Sequence, residues 1–310
     1  MKYTYGPVPS RRLGISLGVD LVPKKVCSYD CIYCQIGRTT HQSVERREYI
    51  PASSILQDIK EALKDWENDV DYIAISGSGE PTLNLKTGEV IQGIKELTSL
   101  PLAVITNGSL LSREEVRKEL LLADVVMPSL DAATPYVFHT INRPHPSLEI
   151  KDIIQGLVDF RKEYKGRIWL EILLCRGVND AAEEIEALKE AIQAIRPDKV
   201  QLNTVVRPSV EDYAFPLTPK RLEKVRTALG EGTEIIAEFE GHGHRIPSEN
   251  LEEKVIRLIQ RRPVTPDDLS KILGIHDLEI IKILDKLTKE GKIKYRVFNQ
   301  RLYYEVAKRA

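Results

Sequence analysis

Long apolar runs, a leader segment and an excess of charge are all missing from this 310-residue sequence. No stretch of about 18 apolar residues occurs, so we expect no membrane-spanning helix and no membrane partner. The segment before Gly14 lacks the apolar core of a signal peptide, which predicts a cytoplasmic protein. Glycine and proline are near average at 18 and 17 residues, and 42% of the residues are hydrophobic, so fibrous and disordered classes are excluded.

Cysteine is scarce, with four residues, and it is unevenly distributed. Cys27, Cys31 and Cys34 lie within eight positions, whereas Cys175 is far away in an apolar segment. A disulfide scaffold would spread paired cysteines through a short secreted chain. The three close cysteines therefore indicate a metal site in a reducing compartment. Cys175 is either a small core residue, a hydrogen-atom donor or a ligand of a second cluster.

The net charge of −1 conceals a difference between the two ends of the chain. From Asn250 onward there are 14 Lys and Arg residues against nine Asp and Glu residues, whereas the preceding part has an acidic surplus. Such a change in composition is typical of a domain boundary. We therefore predict one domain over residues 1–245 and a second over residues 250–310.

The first domain alternates short β-branched runs with segments of helical period. Strands are predicted at Ile15–Val22, Tyr72–Ser76, Leu102–Thr106, Asp124–Leu130, Arg167–Leu174 and Lys199–Val205. Helices are predicted at Ser53–Trp66, Thr87–Leu97, Ser112–Leu121, Ser147–Tyr164, Asp180–Ile195 and Thr218–Leu229, with caps at Ser53, Ser112 and Asp180. This alternation predicts an α/β fold with a parallel sheet, either a partial barrel or an open doubly wound sheet. In both, the strand ends carry the site.

The second domain has a different order of elements. Helices are predicted over Leu251–Gln260, from a Thr265 cap to Gly274, and over Asp277–Glu290, and a hairpin turns at Asn299. Three helices and a hairpin are typical of a winged helix-turn-helix domain. Nucleic-acid binding and a packing role over the mouth of the first domain are both open readings of this domain.

The spacing of Cys27, Cys31 and Cys34 limits the chemistry of the metal site. Thiolates are soft ligands that suit iron–sulfur clusters and zinc. A structural zinc site takes four protein ligands, which here would require a distant side chain such as His242 or His244. Three thiolates on a four-iron cluster instead leave one iron open to a further ligand. The motif therefore favours a cluster with an open iron.

The C-x3-C-x2-C motif, with Tyr33 directly before its last cysteine, resembles the signature of the radical S-adenosylmethionine (SAM) superfamily. The resemblance implies a partial (β/α)6 barrel of the TIM type. It also implies that Cys27, Cys31 and Cys34 bind a 4Fe–4S cluster whose open iron chelates SAM. An electron from a flavodoxin- or ferredoxin-type protein then cleaves SAM to methionine and a 5′-deoxyadenosyl radical, which abstracts hydrogen from the substrate.

Further residues at the predicted strand ends match SAM-binding positions of the superfamily. Gly77, Ser78, Gly79 and Glu80 resemble its Gly-Gly-Glu loop, in which backbone carbonyls and the glutamate accept hydrogen bonds from the methionine ammonium. The resemblance assigns the rest of the SAM site to Tyr33, Thr106, Asn107, Ser129, Asp131 and Val178. Val178 is the expected apolar shelf for adenine, and no residue is assigned to hydrogen transfer.

The segment Gly6–Asp20 resembles the radical SAM enzymes that form the tricyclic wyosine base of tRNA. Those enzymes bind a second cluster through cysteines upstream of the triad, and no cysteine precedes the triad here. Arg11 and Arg12 are expected either to bind phosphate or the SAM carboxylate, or to lie on a solvated face. Asn203 and Arg207 lie at the end of the sixth strand and are expected to face the substrate.

We therefore expect a radical SAM enzyme that modifies a macromolecule, with RNA favoured over protein. Arg143, in the loop after the fourth strand, is a further candidate substrate contact. An activase that places a glycyl radical on a partner enzyme is one alternative. A second is a non-enzymatic iron–sulfur transcription regulator that senses redox state through the winged domain. Turnover of SAM to 5′-deoxyadenosine separates an enzyme from a regulator.

Overall fold

A computed structural model describes residues 2–236 and 251–307. The strands, in chain order, are β1 (Thr4–Ser10), β2 (Gly14–Val19), β3 (Val26–Cys27), β4 (His41–Gln42), β5 (Tyr72–Ile75), β6 (Leu102–Thr106), β7 (Val125–Pro128), β8 (Arg167–Leu174), β9 (Lys199–Thr204), β10 (Thr233–Ile235), β11 (Ile293–Phe298) and β12 (Arg301–Val306). The α-helices are α1 (Ala52–Trp66), α2 (Thr87–Leu97), α3 (Glu114–Leu120), α4 (Pro135–Ile141), α5 (Ile150–Glu163), α6 (Ala182–Ile195), α7 (Pro219–Leu229), α8 (Leu251–Arg261), α9 (Pro266–Leu273) and α10 (Asp277–Lys289).

The main sheet has eight strands in the spatial order β1-β2-β5-β6-β7-β8-β9-β10. The six strands from β2 to β9 in this order run parallel and correspond to the six predicted strands. The sheet continues at both edges, with β1 antiparallel to β2 and β10 parallel to β9. The predicted α/β class with a parallel sheet is confirmed, and the two edge strands are additions to it.

The core lies between the sheet and the helices that follow its strands. Ile55 and Ile59 of α1 are fully buried, four residues apart on one helix face, and so are Leu17 and Ile73 on adjacent strands. Because all the inner strands are parallel, their carboxyl ends meet at one edge of the sheet. The loops that follow β2, β5, β6, β7 and β8 therefore face a common space, which is where the sequence predicts the site.

Residues 251–307, the C-terminal unit, contain α8, α9, α10 and the hairpin β11–β12, with a separate core that includes Val255, Leu269 and Leu284. Thr265 caps α9 as predicted, in a capping box with Asp268. The predicted order of three helices and a hairpin is confirmed. The predicted domain boundary, together with His242 and His244, lies outside the described residues.

Several boundaries of the first region differ from the prediction. The N-caps of α1, α3 and α6 are Pro51, Arg113 and Ala181 without side-chain hydrogen bonds, so the predicted caps Ser53, Ser112 and Asp180 are wrong. Helix α5 begins at Ile150 rather than Ser147, and the short helix α4 before it was not predicted. Within the described ranges, no helix combines the length and apolarity that crossing a membrane requires.

Candidate active site

The cysteine loop, residues 27–34, follows β2 and is fixed by its apolar residues. Tyr29 and Ile32 are buried, and the ring of Tyr29 packs edge-on against Phe138 at 5.5 Å. The Ile32 amide donates to the carbonyl of Ile141 at 3.0 Å. The three cysteine residues are less completely buried than these two. The sequence pattern of the loop therefore sets which side chains point away from the core.

Each cysteine sulfur has one nitrogen donor of its own. Lys25 Nζ lies 3.2 Å from Cys34 Sγ. The amide nitrogen of Asn107 lies 3.6 Å from Cys27 Sγ, and that of Asn142 lies 3.4 Å from Cys31 Sγ. Hydrogen bonds to sulfur stabilise thiolates and tune the potential of iron–sulfur clusters. The donor set therefore fits a cluster bound by three thiolates.

The thiols of Cys27 and Cys31 are protonated at neutral pH when no metal is bound. Burial, together with the charge of Glu80, raises the pKa of Cys27 to about 12. Burial and the charge of Asp131 raise the pKa of Cys31 well above its usual range, although Asn142 opposes this. Thiolate ligation therefore releases protons. In the described parts of the chain, no group of three His, Cys, Asp or Glu side chains is placed to hold a single metal ion; in a 4Fe–4S cluster each thiolate binds a different iron.

Glu80 is almost completely buried, and its carboxylate already accepts four hydrogen bonds. The donors are the amide and hydroxyl of Thr82, at 3.1 and 2.6 Å, the hydroxyl of Thr106 at 2.6 Å and the amide of Asn107 at 2.7 Å. A carboxylate has about four acceptor positions. Glu80 therefore fixes the end of β6, and through Asn107 it supports the donor to Cys27.

The loop of Gly77, Ser78 and Gly79 packs directly against the start of the cysteine loop. The amide of Lys25 donates to the Ser78 carbonyl at 2.6 Å. Gly77 has φ of 122°, and a Cβ there would collide with the carboxylate of Asp20. A residue other than glycine is therefore excluded at Gly77 by both backbone conformation and space.

Asp131 connects three parts of the site. It accepts from Asn142 Nδ2 at 2.7 Å, from the Leu173 amide at 2.9 Å and from the Tyr33 hydroxyl. Burial raises the pKa of Asp131 to about 6, although these hydrogen bonds oppose the shift. Because Asn142 also contacts Cys31, Asp131 is linked to the cysteines through one amide side chain.

The remaining predicted positions lie at the neighbouring strand ends. The amide of Ser129 donates to the Thr106 carbonyl at 3.0 Å, which joins the ends of β7 and β6. Val178 is partly buried against the main core in the loop after β8. The next residue, Asn179, donates to the carbonyl of Asp131 at 2.8 Å. The predicted SAM residues therefore share one edge of the sheet.

Sequence reasoning missed two of the three sulfur donors. Lys25 precedes the cysteine motif, and its side chain is buried although lysine is almost always exposed. Asn142 is next to Arg143, which was chosen instead as a candidate substrate contact. Arg143 pairs with Glu211 at 2.7 Å and thus does not point freely into the site. Asparagine in a loop is a weak signal, because its partner lies 111 positions away in the sequence.

The remaining candidates, Arg11, Arg12 and Cys175, all have surroundings formed by the protein itself. Arg12 pairs with Glu171, and Arg11 donates to Asn203 Oδ1 at 3.0 Å. Both arginines line a cavity and are largely buried, so the expected alternative of a solvated face is wrong. Cys175 is completely buried in the main core.

Comparison with known proteins identifies the family. A model described as the radical SAM superfamily matches residues 21–192. The chain is 33% identical over 313 residues to a UPF0026 protein of Methanocaldococcus jannaschii, covering 98% of this chain and 96% of that protein. It is 35% identical over 308 residues to a protein of Brachyspira hyodysenteriae named GTPase Obg, covering 98% of this chain but 45% of that one. The chain thus spans less than half the length of this last relative.

Weaker similarities exist to an RNA methyltransferase and to a solved structure. The probable dual-specificity RNA methyltransferase RlmN of Thermotoga petrophila is 24% identical over 222 residues, covering 67% of this chain and 60% of that protein. The crystal structure of a radical SAM methyltransferase from Sphaerobacter thermophilus has a TM-score of 0.54 at 16% identity, covering 71% of this chain and 66% of that one. At this identity the structural similarity shows a common fold. The chain belongs to the radical SAM superfamily, and it is therefore an enzyme whose cofactors are a 4Fe–4S cluster and SAM.

Proposed function

We propose that Cys27, Cys31 and Cys34 bind the 4Fe–4S cluster and that the enzyme cleaves SAM reductively to modify RNA. The observation that carries the assignment of the ligands is the pairing of each thiol with one nitrogen donor. When bound, the cluster and SAM supply a 5′-deoxyadenosyl radical that abstracts hydrogen. The residues of the chain hold these groups in position and keep water away from them.

The proposed SAM site consists of the loops at the ends of β5 to β8. Gly77 and Gly79 leave room for the methionine part at the backbone, and Val178 supplies an apolar surface for adenine. Ser129, Asp131 and Tyr33 provide polar groups next to the cysteine loop, while Thr106 and Asn107 hold the end of β6. Glu80 acts in this proposal mainly through Thr106 and Asn107, because its own acceptor positions are filled.

RNA is the proposed substrate class for two reasons. The similarity to the RNA methyltransferase RlmN covers two thirds of the chain. The cavity beside the cysteine loop, which begins at Gln35 and Ile36, is lined by arginines. The relatives do not favour a glycyl-radical activase or a redox-sensing regulator. The specific resemblance of Gly6–Asp20 to wyosine-base enzymes stays a prediction.

We also propose a division of the chain near residues 245–250 and a winged helix-turn-helix fold for the C-terminal unit. The order of α8, α9, α10 and the hairpin supports this fold. A flavodoxin- or ferredoxin-type protein is the proposed reductant, and the partly exposed cysteines suit the reducing conditions of the cytoplasm.

The test is formation of 5′-deoxyadenosine by anaerobically reconstituted protein with dithionite as reductant. We expect the wild type to form it and Cys31→Ala to lose more than 90% of the activity (about a tenfold loss, or 1.4 kcal/mol at least). Cys175→Ala is the matched control, because this cysteine is completely buried in the main core and is not part of the cysteine loop. Equal activity of Cys31→Ala and Cys175→Ala would contradict the ligand assignment, and added RNA should increase turnover if RNA is the substrate.

A further inference from the structure

A large cavity separates the main sheet from the C-terminal unit. It has a volume of about 860 Å³, which is near the upper end for small-molecule pockets. On one side it begins at Gln35 and Ile36, directly after Cys34. On the other it reaches Leu258 of α8 and Ile272 of α9. Both regions of the chain therefore form its wall.

Besides Arg301 at the start of β12, five arginines from three separate segments line this cavity, which we name the basic cavity. Arg11 and Arg12 lie in the turn between β1 and β2, and Arg207 follows β9. Arg261 is the last residue of α8, and Arg262 follows it. Guanidinium groups that converge from distant segments are rarely left without anions, because their mutual repulsion opposes folding. The partners of each arginine therefore decide what the cavity can bind.

Two of the five arginines have carboxylate partners. Arg12 pairs with Glu171, and Arg261 pairs with Asp20 while donating to the Ser78 hydroxyl at 3.2 Å. The guanidinium of Arg261 also lies over the ring of Tyr5, 4.4 Å from its centroid. These two arginines are satisfied by the protein and tie the walls of the cavity together.

The other three arginines lack a close carboxylate. Arg11 donates to the amide oxygen of Asn203. Arg207 is 3.9 Å from Asp268, and its buried Nε has no hydrogen-bond acceptor. Within residues 2–236 and 251–307, Arg262 has no hydrogen bond and no ion pair. The three cations are therefore held next to one another without a close carboxylate of their own. Asp268 is 3.9 Å from Arg207, and Glu171, whose charge also acts on Arg11, already pairs with Arg12.

The acidic residues of the cavity wall do not neutralise them. Asp267 pairs with Lys271 at 2.9 Å, and Glu223 pairs with Arg226 at 2.8 Å. Asp268 accepts from the amide of Thr265 at 3.1 Å as part of the cap of α9. The carboxylates that line the cavity therefore have other donors.

Burial and the neighbouring arginines also act on the protonation of these groups. Burial and the charge of Arg207 lower the pKa of Arg262 to about 9 and that of Arg11 to about 10. Both guanidiniums remain charged at pH 7, so the repulsion persists. An anion bound between the two guanidiniums would offset their repulsion and accept hydrogen bonds from their free N–H groups.

A second, smaller cavity of about 330 Å³ adjoins the first, since both are lined by Arg261 and Arg262. Lys24, Lys294 and Arg296 line this second cavity. The Nε of Arg296 is buried without a hydrogen-bond acceptor. Cationic side chains therefore continue from the basic cavity along the boundary with the C-terminal unit. Several cationic side chains along one surface suit the successive phosphates of a nucleic-acid strand better than one small anion.

We infer that the basic cavity binds phosphate groups of the RNA substrate, with Arg11, Arg207 and Arg262 as donors. A guanidinium presents its N–H groups in a fork that matches two phosphate oxygens. The RNA strand binds in the basic cavity, next to the cysteine loop, and the C-terminal unit forms the second wall of this cavity. The unit is thereby part of the substrate site. The identity of the strand as RNA rests on the proposed function.

The test measures binding of a fluorescent, mixed-sequence RNA hexamer to the reconstituted 310-residue protein by anisotropy at several salt concentrations. We expect Arg262→Gln and Arg207→Gln each to weaken binding about 10- to 100-fold, as for a lost charge-assisted hydrogen bond. The slope of log Kd against log salt should fall by about 0.7 for each lost phosphate contact.

Arg257→Gln is the matched control, because it removes the same charge from α8 at an exposed position where Arg257 pairs with Glu253 at 2.6 Å. It should change the Kd less than about twofold and leave the salt slope unchanged. Wild-type affinity and slope in both cavity variants would overturn the inference. Binding of inorganic phosphate or AMP without binding of the hexamer would overturn the assignment to an RNA strand.

Thermal unfolding separates a binding role from a structural one. In phosphate-free buffer we expect Arg262→Gln to melt at the same temperature as the wild type or higher, because it removes a repelling charge. Addition of the hexamer should raise the melting temperature of the wild type more than that of the variant. A lower melting temperature of the ligand-free variant would instead indicate a structural arginine and contradict the inference.

The outcome does not depend on SAM cleavage. If the protein forms 5′-deoxyadenosine but both cavity variants bind RNA like the wild type, this inference fails and the proposed cleavage stands. If the cavity binds RNA as expected but no SAM is cleaved, the proposed function fails and the binding site stands.

Discussion

Buried charges near the cysteines and those in the basic cavity differ in how many partners the protein gives them. Glu80 accepts four hydrogen bonds and Asp131 accepts three, all from residues of the chain. In the basic cavity, Arg207 has one carboxylate at 3.9 Å, and Arg262 has no partner among the described residues. Near the cysteines, the buried charges are hydrogen-bonded by the protein itself. In the basic cavity, some of the buried charges have hydrogen-bonding capacity left for a ligand.

This difference separates positioning from binding. A charge whose hydrogen-bonding capacity is filled fixes its neighbours, as Glu80 fixes Asn107, and has little capacity left for a ligand. A buried charge with open capacity destabilises the ligand-free protein and gains most when a ligand arrives. Loss of the first kind should therefore reduce stability, whereas loss of the second should reduce binding.

The largest expected effect is on Glu80. Glu80→Ala leaves the hydroxyls of Thr82 and Thr106 and the amide of Asn107 without their acceptor in a buried site. We expect the free energy of unfolding to fall by about 3–5 kcal/mol. Urea unfolding followed by tryptophan fluorescence measures this change.

The control for Glu80 is Glu89→Ala, which removes an exposed carboxylate of α2 that pairs with Lys86 at 2.9 Å. Its effect should stay within about 0.5 kcal/mol. If Glu80→Ala kept wild-type stability and lost affinity for SAM, Glu80 would be a ligand contact, and the comparison between filled and open charges would break down.

The second expected effect is a pH dependence at Asp131, whose acceptor positions are less completely filled. Its pKa of about 6 in the folded protein lies above the unfolded value of 3.8. The stability that the protonated group contributes is therefore complete below pH 3.8 and is lost as the pH rises through 6. We expect wild-type stability to fall by about 2–2.5 kcal/mol relative to Asp131→Asn between pH 4 and 7.

The measurement is the unfolding free energy of both proteins at half-unit pH steps. Asparagine has a similar size, and rotation of the Asn142 amide and of the Tyr33 hydroxyl can restore the hydrogen bonds. Parallel pH profiles of the two proteins would mean that Asp131 is not held in a desolvated environment. Asp131 would then no longer count as one of the buried charges near the cysteines.

The strands and helices around the main sheet could be predicted from the sequence, because the spacing of apolar residues shows which face of each element is buried. The strand Leu102–Thr106 and the helix Thr87–Leu97 have the predicted bounds, since both are regular elements with a buried apolar face. Strand β1 was missed because Pro7 and Pro9 argue against a strand. At the edge of a sheet, prolines are tolerated, since the outer amides need no partner there.

The site was predictable only in part, for a related reason. Spacing identified the cysteines because all three ligands lie in one loop. The donor to Cys31 comes from Asn142, which the fold brings from a distant loop. The cavity also depends on tertiary structure, because Arg11 and Arg262 lie 251 positions apart in sequence and are brought together by the packing of the C-terminal unit.

The smallest expected effect concerns Asp58, a carboxylate with filled acceptors outside both regions. It accepts from the amides of Lys2, Tyr3 and Thr4 and so holds the start of β1 against α1. Burial raises its pKa, but the hydrogen bonds from Tyr3 and Thr4 outweigh this and lower it below 3.8. The stability it contributes is therefore present above pH 3.8 and is lost as the pH falls through the folded value.

Asp58→Asn should accordingly reduce the unfolding free energy by about 1–2 kcal/mol at pH 7, with a difference from the wild type that shrinks in acid below pH 3.8. Acid titration of both proteins in a constant urea concentration measures the difference. Because Asp131 has a raised pKa and Asp58 a lowered one, the two variants should diverge from the wild type in opposite directions as the pH rises. If the stability of both variants relative to the wild type changed in the same direction with pH, the pKa values of Asp131 and Asp58 would be shifted in the same direction. The difference in burial between the two carboxylates would then not set the sign of the shift.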